Sequence, residues 1–110
     1  MKIELESMIK LAQNSAMDAW GPREPRKILE KLREEVEELD EAMIYFGKYD
    51  GAKNKFEVLK EFGDALFCLV RFADQLDIDP GEALSLTIVK IQERMKFNLT
   101  KRADDGTSKI

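Results

Sequence analysis

Apolar residues recur at helical spacing in four blocks along the chain, and turn signals separate the blocks. From residue 2 to about 19, Ile3, Ile9, Ala12, Ala16 and Trp20 fall on one stripe, with Leu5 and Met8 beside it. Gly21-Pro22-Arg23-Glu24-Pro25 breaks this pattern, and Pro25 suits the first turn of a following helix. A second helix is predicted from about Pro25 to Phe46, buried along Ile28, Leu32, Leu39, Ala42 and Phe46. Gly47-Lys48-Tyr49-Asp50-Gly51 reads as a loop, and a third helix is expected from about residue 54 to 76. Asp79-Pro80-Gly81-Glu82 has the form of a helix start, with Asp79 as N-cap, Pro80 at N1 and Glu82 at the N3 position of a capping box. The fourth helix then carries Ala83, Leu84, Ile88, Ile91 and Met95 as its stripe. No segment alternates with period two. The pattern predicts an all-α, four-helix, antiparallel bundle-like domain over residues 1–100, with a polar tail at 101–110 that is expected to fray.

Two places break the pattern with acids. The seat between Leu32 and Leu39 on the second stripe belongs to Glu35, and Glu38 lies at its border one turn later. An unpaired carboxylate in such a seat would neutralise unless it is paired or holds a metal. On the third helix, Glu61 and Asp64 stand at i, i+3 and therefore share a face. They open the apolar run Ala65-Leu66-Phe67-Cys68-Leu69-Val70. Two helices each turning two carboxylates inward would form a cage of oxygen ligands. Glu57, Glu61, Asp64, Cys68, Arg71 and Gln75 occupy one narrow face of the third helix, and nearly all the rest is apolar. A helix so apolar must be covered on several sides, which predicts a homo-oligomer, dimer or tetramer.

Composition narrows the chemistry. The chain has 110 residues, 44% hydrophobic and 36% charged, enough for one folded core. No apolar run approaches the ~20 residues of a membrane span. The alternation of acid and apolar residues at the N-terminus is unlike a signal peptide, so a cytoplasmic location is expected. With 22 acidic against 18 basic residues the net charge is −4, which argues against nucleic acid as a partner. There is no histidine, which removes imidazole catalysis, His-metal sites and the Glu-x-x-His pattern of di-iron bundles. The single Cys68 excludes an intramolecular disulfide and a cysteine zinc site, and reads as a small core residue. An all-carboxylate site suits a hard cation, Mg²⁺ or Mn²⁺. Without histidine, a general base must be a carboxylate or a cation-acidified water, and Glu34 and Glu38 are nearest. The plain alternatives are a solvated charge run for Glu34 and Glu37, and a polar helix edge for Glu61 and Asp64. Lys90 and Arg94 can be ordinary surface bases. Arg71 can be a counter-ion of Asp64 or Glu57, and Trp20 can be core rather than a base-stacking residue. Taken together these alternatives describe a non-catalytic helical interaction module.

The paired motifs Glu34-Glu35-Val36-Glu37-Glu38 and Glu61-Phe62-Gly63-Asp64 have the form E-E-x-x-E followed by E-x-x-D. With Pro25-Arg26 and Ile28-Leu29 before the first motif, Gly63-Asp64-Ala65-Leu66-Phe67 at the second, and Ile78-Asp79 before the Ala83-Leu84 helix, the chain resembles the MazG-like all-α nucleoside triphosphate pyrophosphohydrolases over roughly residues 5 to 97. The resemblance implies that Glu35, Glu38, Glu61 and Asp64 hold Mg²⁺, with Mn²⁺ as an alternative. Glu34 would support a second metal or orient water, and Lys90 and Arg94 would face phosphates. Apart from the resemblance, Trp20 is a candidate for contact with the nucleotide if it stacks on the base rather than joining the core. The implied reaction splits a nucleoside triphosphate, with a deoxynucleotide preferred, into monophosphate and pyrophosphate. Many members carry Lys and Asn one turn before the Lys90 position. Here that turn is Leu86-Thr87-Ile88, so contacts made there by relatives are not carried over. The same motifs occur in phosphoribosyl-ATP pyrophosphohydrolase of histidine synthesis, which remains the alternative enzyme, although its second motif tends to lie in an Ala-rich context.

Overall fold

The computed structural model describes residues 4–46 and 51–105, with side chains for 4–46 and 54–98. Four helices follow one another: α1 (Leu5–Trp20), α2 (Pro25–Tyr45), α3 (Gly51–Gln75) and α4 (Pro80–Asp105). The described residues contain no strand. The chain divides into two compact units, Met1–Ile78 and Asp79–Ile110.

Within the first unit α3 is the common partner, packing against α2 along its length and against α1. α1 ends where Gly21 turns to φ 71° and donates its N–H to Met17 O at 2.8 Å. That φ lies in the left-handed region that glycine adopts without a Cβ penalty. α2 starts with Pro25, and the free N–H groups of Lys27 and Ile28 both reach Glu24 O. α3 closes with a Schellman turn: Ile78 N–H donates to Ala73 O at 2.8 Å and Asp77 N–H to Asp74 O at 3.3 Å. The αL position falls on Asp77, φ 53°, one of the few non-glycine types that tolerate it.

The core of this unit is built from small and branched residues. Ala16, Ile28, Ala65, Cys68, Val70 and Ala73 are buried. The alanines let helix backbones approach closely. Gln13 is buried with them and donates Nε2–H to Val70 O at 2.9 Å, which satisfies its amide and ties α1 to α3. Gln75 does the same at the end of the helix, its Oε1 accepting from Arg23 N–H at 2.9 Å.

Several expectations are corrected. The third helix begins at Gly51 rather than 54, because Ala52 and Lys53 are good helix formers and a glycine at the first position costs little of what it costs inside a helix. α4 continues to Asp105, beyond the boundary expected near residue 100, and residues 106–110 lie outside the described residues. Ile3 and the loop at 47–50 also lie outside them. Phe46 stands at the C-cap of α2 and is exposed rather than the last residue of its buried stripe. Trp20 is not core: it is 67% exposed.

The second unit is α4. Asp79 caps it as the sequence predicts, its Oδ1 accepting from Gly81 N–H at 2.8 Å and from Glu82 N–H at 3.3 Å. Leu84, Ile88, Ile91 and Met95 are exposed along this helix.

Candidate metal and nucleotide site

α2 and α3 run in opposite directions. Each places its acidic pair at i, i+3 on the face turned to the other helix. Glu35, Glu38, Glu61 and Asp64 therefore converge, and each offers a carboxylate oxygen that lies within 4.8 Å of the others. Glu35 is only 6% exposed, Glu61 is half-buried, and Glu38 and Asp64 are open to solvent. Glu35 Oε1 is paired with Lys31 Nζ at 3.1 Å, one helical turn back. Its Oε2 is buried with no donor, and so is Glu61 Oε2. Two enclosed acceptor atoms without donors are costly unless a cation or another donor reaches them. A hard divalent cation takes such oxygens, so the donor set fits Mg²⁺ or Mn²⁺.

Electrostatics in the cluster follow from crowding. The charge of Glu35 pushes the Glu38 carboxyl above the usual carboxylate range, and a hydrogen bond with Glu61 adds to the effect. A bond between two carboxyls needs a proton on one of them, so the cation-free cluster retains a proton more readily than isolated acids do. The hydrogen bonds to Glu35 and Glu34 push Lys31 upward and keep it charged. Burial, followed by the charge of Glu35, raises the Cys68 thiol, which keeps it protonated and unreactive.

The cluster opens into a cavity of about 470 Å³. Glu35 and Asp64 form its acidic end. Pro22, Arg23, Ile28, Lys31, Phe67 and Cys68 line it with them, as do Trp20 and Arg71. The Trp20 ring meets Phe67 edge to face at 6.3 Å, and the Arg71 guanidinium lies over Trp20 with Cζ 5.4 Å from the ring centroid. Arg71 forms no ion pair with Asp64 or Glu57 among the described residues. Glu57 is instead 3.3 Å from Lys60.

Glu34 is outside the cluster: it is exposed and pairs with Lys31 at 3.4 Å. Lys90 and Arg94 stand together on α4, where they line a shallow groove with Glu93, Phe97 and Asn98. Lys31 and Arg71 were not singled out as site residues from the sequence. The usable signal was their register, Lys31 one turn before Glu35 and Arg71 two turns after Asp64 on the same face.

Residues 23–98 match the family described as the MazG nucleotide pyrophosphohydrolase domain. The chain is 32% identical over 87 residues to a protein of Thermotoga maritima named nucleoside triphosphate pyrophosphohydrolase/pyrophosphatase MazG. That alignment covers 79% of this chain and 30% of the relative, so the chain spans under a third of the relative's length. No solved structure matches the chain significantly.

Proposed function

Because the chain belongs to the MazG nucleotide pyrophosphohydrolase domain family, we propose that it hydrolyses a nucleoside triphosphate to the monophosphate and pyrophosphate with the help of a divalent cation. The observation that carries this reading is the group of four converging carboxylates with two buried, donorless oxygens, Glu35 Oε2 and Glu61 Oε2. Glu35, Glu38, Glu61 and Asp64 hold Mg²⁺, or Mn²⁺ in its place. When bound, the cation supplies the positive charge that lets a polyanionic substrate enter an acidic site.

The chain's own groups do the rest. Glu38 is open to water, so it is the carboxylate that takes a proton from the attacking water. The water oxygen bonds to the α-phosphorus and the bond to the bridging α–β oxygen breaks. Pyrophosphate leaves with that oxygen. Lys31 orients Glu35 through its 3.1 Å contact, and Glu34 is the peripheral carboxylate that supports a second cation or a water. Lys90 and Arg94 neutralise the departing pyrophosphate, and Trp20 borders the nucleotide pocket. These roles rest on the family resemblance and on the two pocket linings. The deoxynucleotide preference rests on the resemblance alone.

The active form is a homo-oligomer in this reading. Leu59, Phe62, Leu66 and Leu69 form an exposed ridge on α3, and a ridge of that length on a soluble protein is normally covered. Product analysis tests the reaction. Mg²⁺ should restore activity after chelation, with monophosphate and pyrophosphate as products. Direct release of inorganic phosphate from the triphosphate would overturn the bond assignment. A non-catalytic interaction module should gain no thermal stability from Mg²⁺, whereas the cage should.

A further inference from the structure

Arg71 is a cation that the fold buries without a counter-ion. The residue is 8% exposed, and no carboxylate among the described residues pairs with it. Its Nη2 donates to Gly21 O at 3.2 Å, and its Nε is buried with no acceptor. The guanidinium thus keeps donors that the protein leaves unmet, and burying a charge in that state is costly unless something else completes it. The Gly21 carbonyl and the Trp20 ring hold its plane in place on the cavity that Glu35 and Asp64 also line. Arg71 lies seven residues beyond Asp64, a rise of about 10 Å along α3. That is close to the span from the α-phosphate of a nucleotide to the far edge of its base. The rest of the lining combines Ile28, Phe67 and Cys68, an apolar and aromatic stretch that suits the faces of a base, with the cations Lys31 and Arg23, which suit phosphate.

We propose that Arg71 is a specificity-determining residue that reads the edge of the nucleobase and favours bases presenting a carbonyl oxygen there over bases presenting an amino group. This inference rests on the nucleotide reading of the site given above. A guanidinium only donates, so it pairs with the oxo edge of hypoxanthine, guanine or uracil, whereas an exocyclic amino group meets it donor to donor. Discrimination of this kind is large because the wrong base leaves buried donors unpaired.

The test compares substrates that differ by one oxo-for-amino exchange, ITP against ATP and UTP against CTP, by kcat/KM with saturating Mg²⁺. Wild type should favour the oxo member by about ten- to a hundredfold in the pair the pocket accepts. Arg71→Met should bring the ratio close to one, chiefly by lowering the rate for the oxo substrate. Arg71→Lys, which keeps the charge without the planar fork, should retain part of the preference and guards against a Met variant that does not fold. Binding of IMP and AMP, which lack the leaving group, should show the same preference and the same loss. No preference in either pair would overturn the proposal, as would an equal loss for all bases in Arg71→Met with monophosphate binding unchanged, which would make Arg71 a pyrophosphate ligand. Failure to hydrolyse any of the four triphosphates or their deoxy counterparts would instead refute the enzyme reading itself.

Discussion

Glu35 is both the oddity in the sequence and the buried member of the carboxylate cluster. It was legible because a buried helix stripe admits a carboxylate only with a reason, and Glu61 and Asp64 were legible because i, i+3 fixes a common face. Gln13 was not, since a glutamine beside an apolar stripe says nothing about the Val70 carbonyl it will meet. Arg71 was open between counter-ion and other roles, because pairing depends on where α1 ends relative to α3. Crowded carboxylates repel when no cation is bound. Glu35→Gln and Asp64→Asn are therefore expected to abolish turnover while leaving the cation-free protein as stable as wild type or more so, measured by thermal unfolding in chelator. Unfolding of either variant at neutral pH would make these residues structural partners instead. The raised Glu38 carboxyl adds a pH dependence of definite sign. A group raised on folding stabilises most below its unfolded value, and that stabilisation fades as pH rises through the folded value. In chelator, the wild-type melting temperature should thus gain relative to Glu38→Gln as pH falls from neutral toward the ordinary carboxylate range. Parallel curves for the two proteins would remove the proton from Glu38.

At the scale of the element, the 3.6-residue period located all four helices, and the caps placed their starts better than their ends. Pro25 and Asp79 sit where their chemistry predicts. The start of α3 and the end of α4 were misplaced because apolar periodicity fades there while helix propensity does not. The orientation of α3 follows from its acidic pair: the face from Glu61 through Cys68 to Arg71 is turned inward, and much of its apolar surface is outside. Periodicity marks a face but does not say which side a functional pocket will claim. Two substitutions measure how the elements are held. Ile28 is fully buried beside the cavity, so Ile28→Ala should cost about 2–5 kcal/mol in denaturant unfolding. Asp79→Ala removes the acceptor for two N–H groups and should cost about 1 kcal/mol, seen as loss of α4 helicity or melting temperature. A loss below a few tenths would mean that α4 is capped by other means.

For the whole molecule, the chain divides into two compact units after Ile78. Asp79-Pro80 announced a new helix, but a start signal does not say what that helix packs on. The exposed apolar surface bears on the same question. Leu59, Phe62, Leu66 and Leu69 follow one another at steps of three, four and three, the spacing of a seam between helices, and each is 42–64% exposed. A single chain this small buries only a modest share of its surface, so an uncovered seam is a liability that association removes. Introducing a charge distinguishes a seam from incidental exposure. Leu66→Glu places a carboxylate in the middle of the ridge, where in a free monomer it would meet only water and change stability by little. In an oligomer it would be forced into the interface without a partner and drive the subunits apart. Light scattering at micromolar concentration should therefore report a dimer or tetramer for wild type and a smaller species for Leu66→Glu. Glu82→Gln, at the start of α4, should leave the wild-type mass unchanged. A monomeric wild type would refute the oligomer. An unchanged mass in a folded Leu66→Glu would move the interface off this ridge.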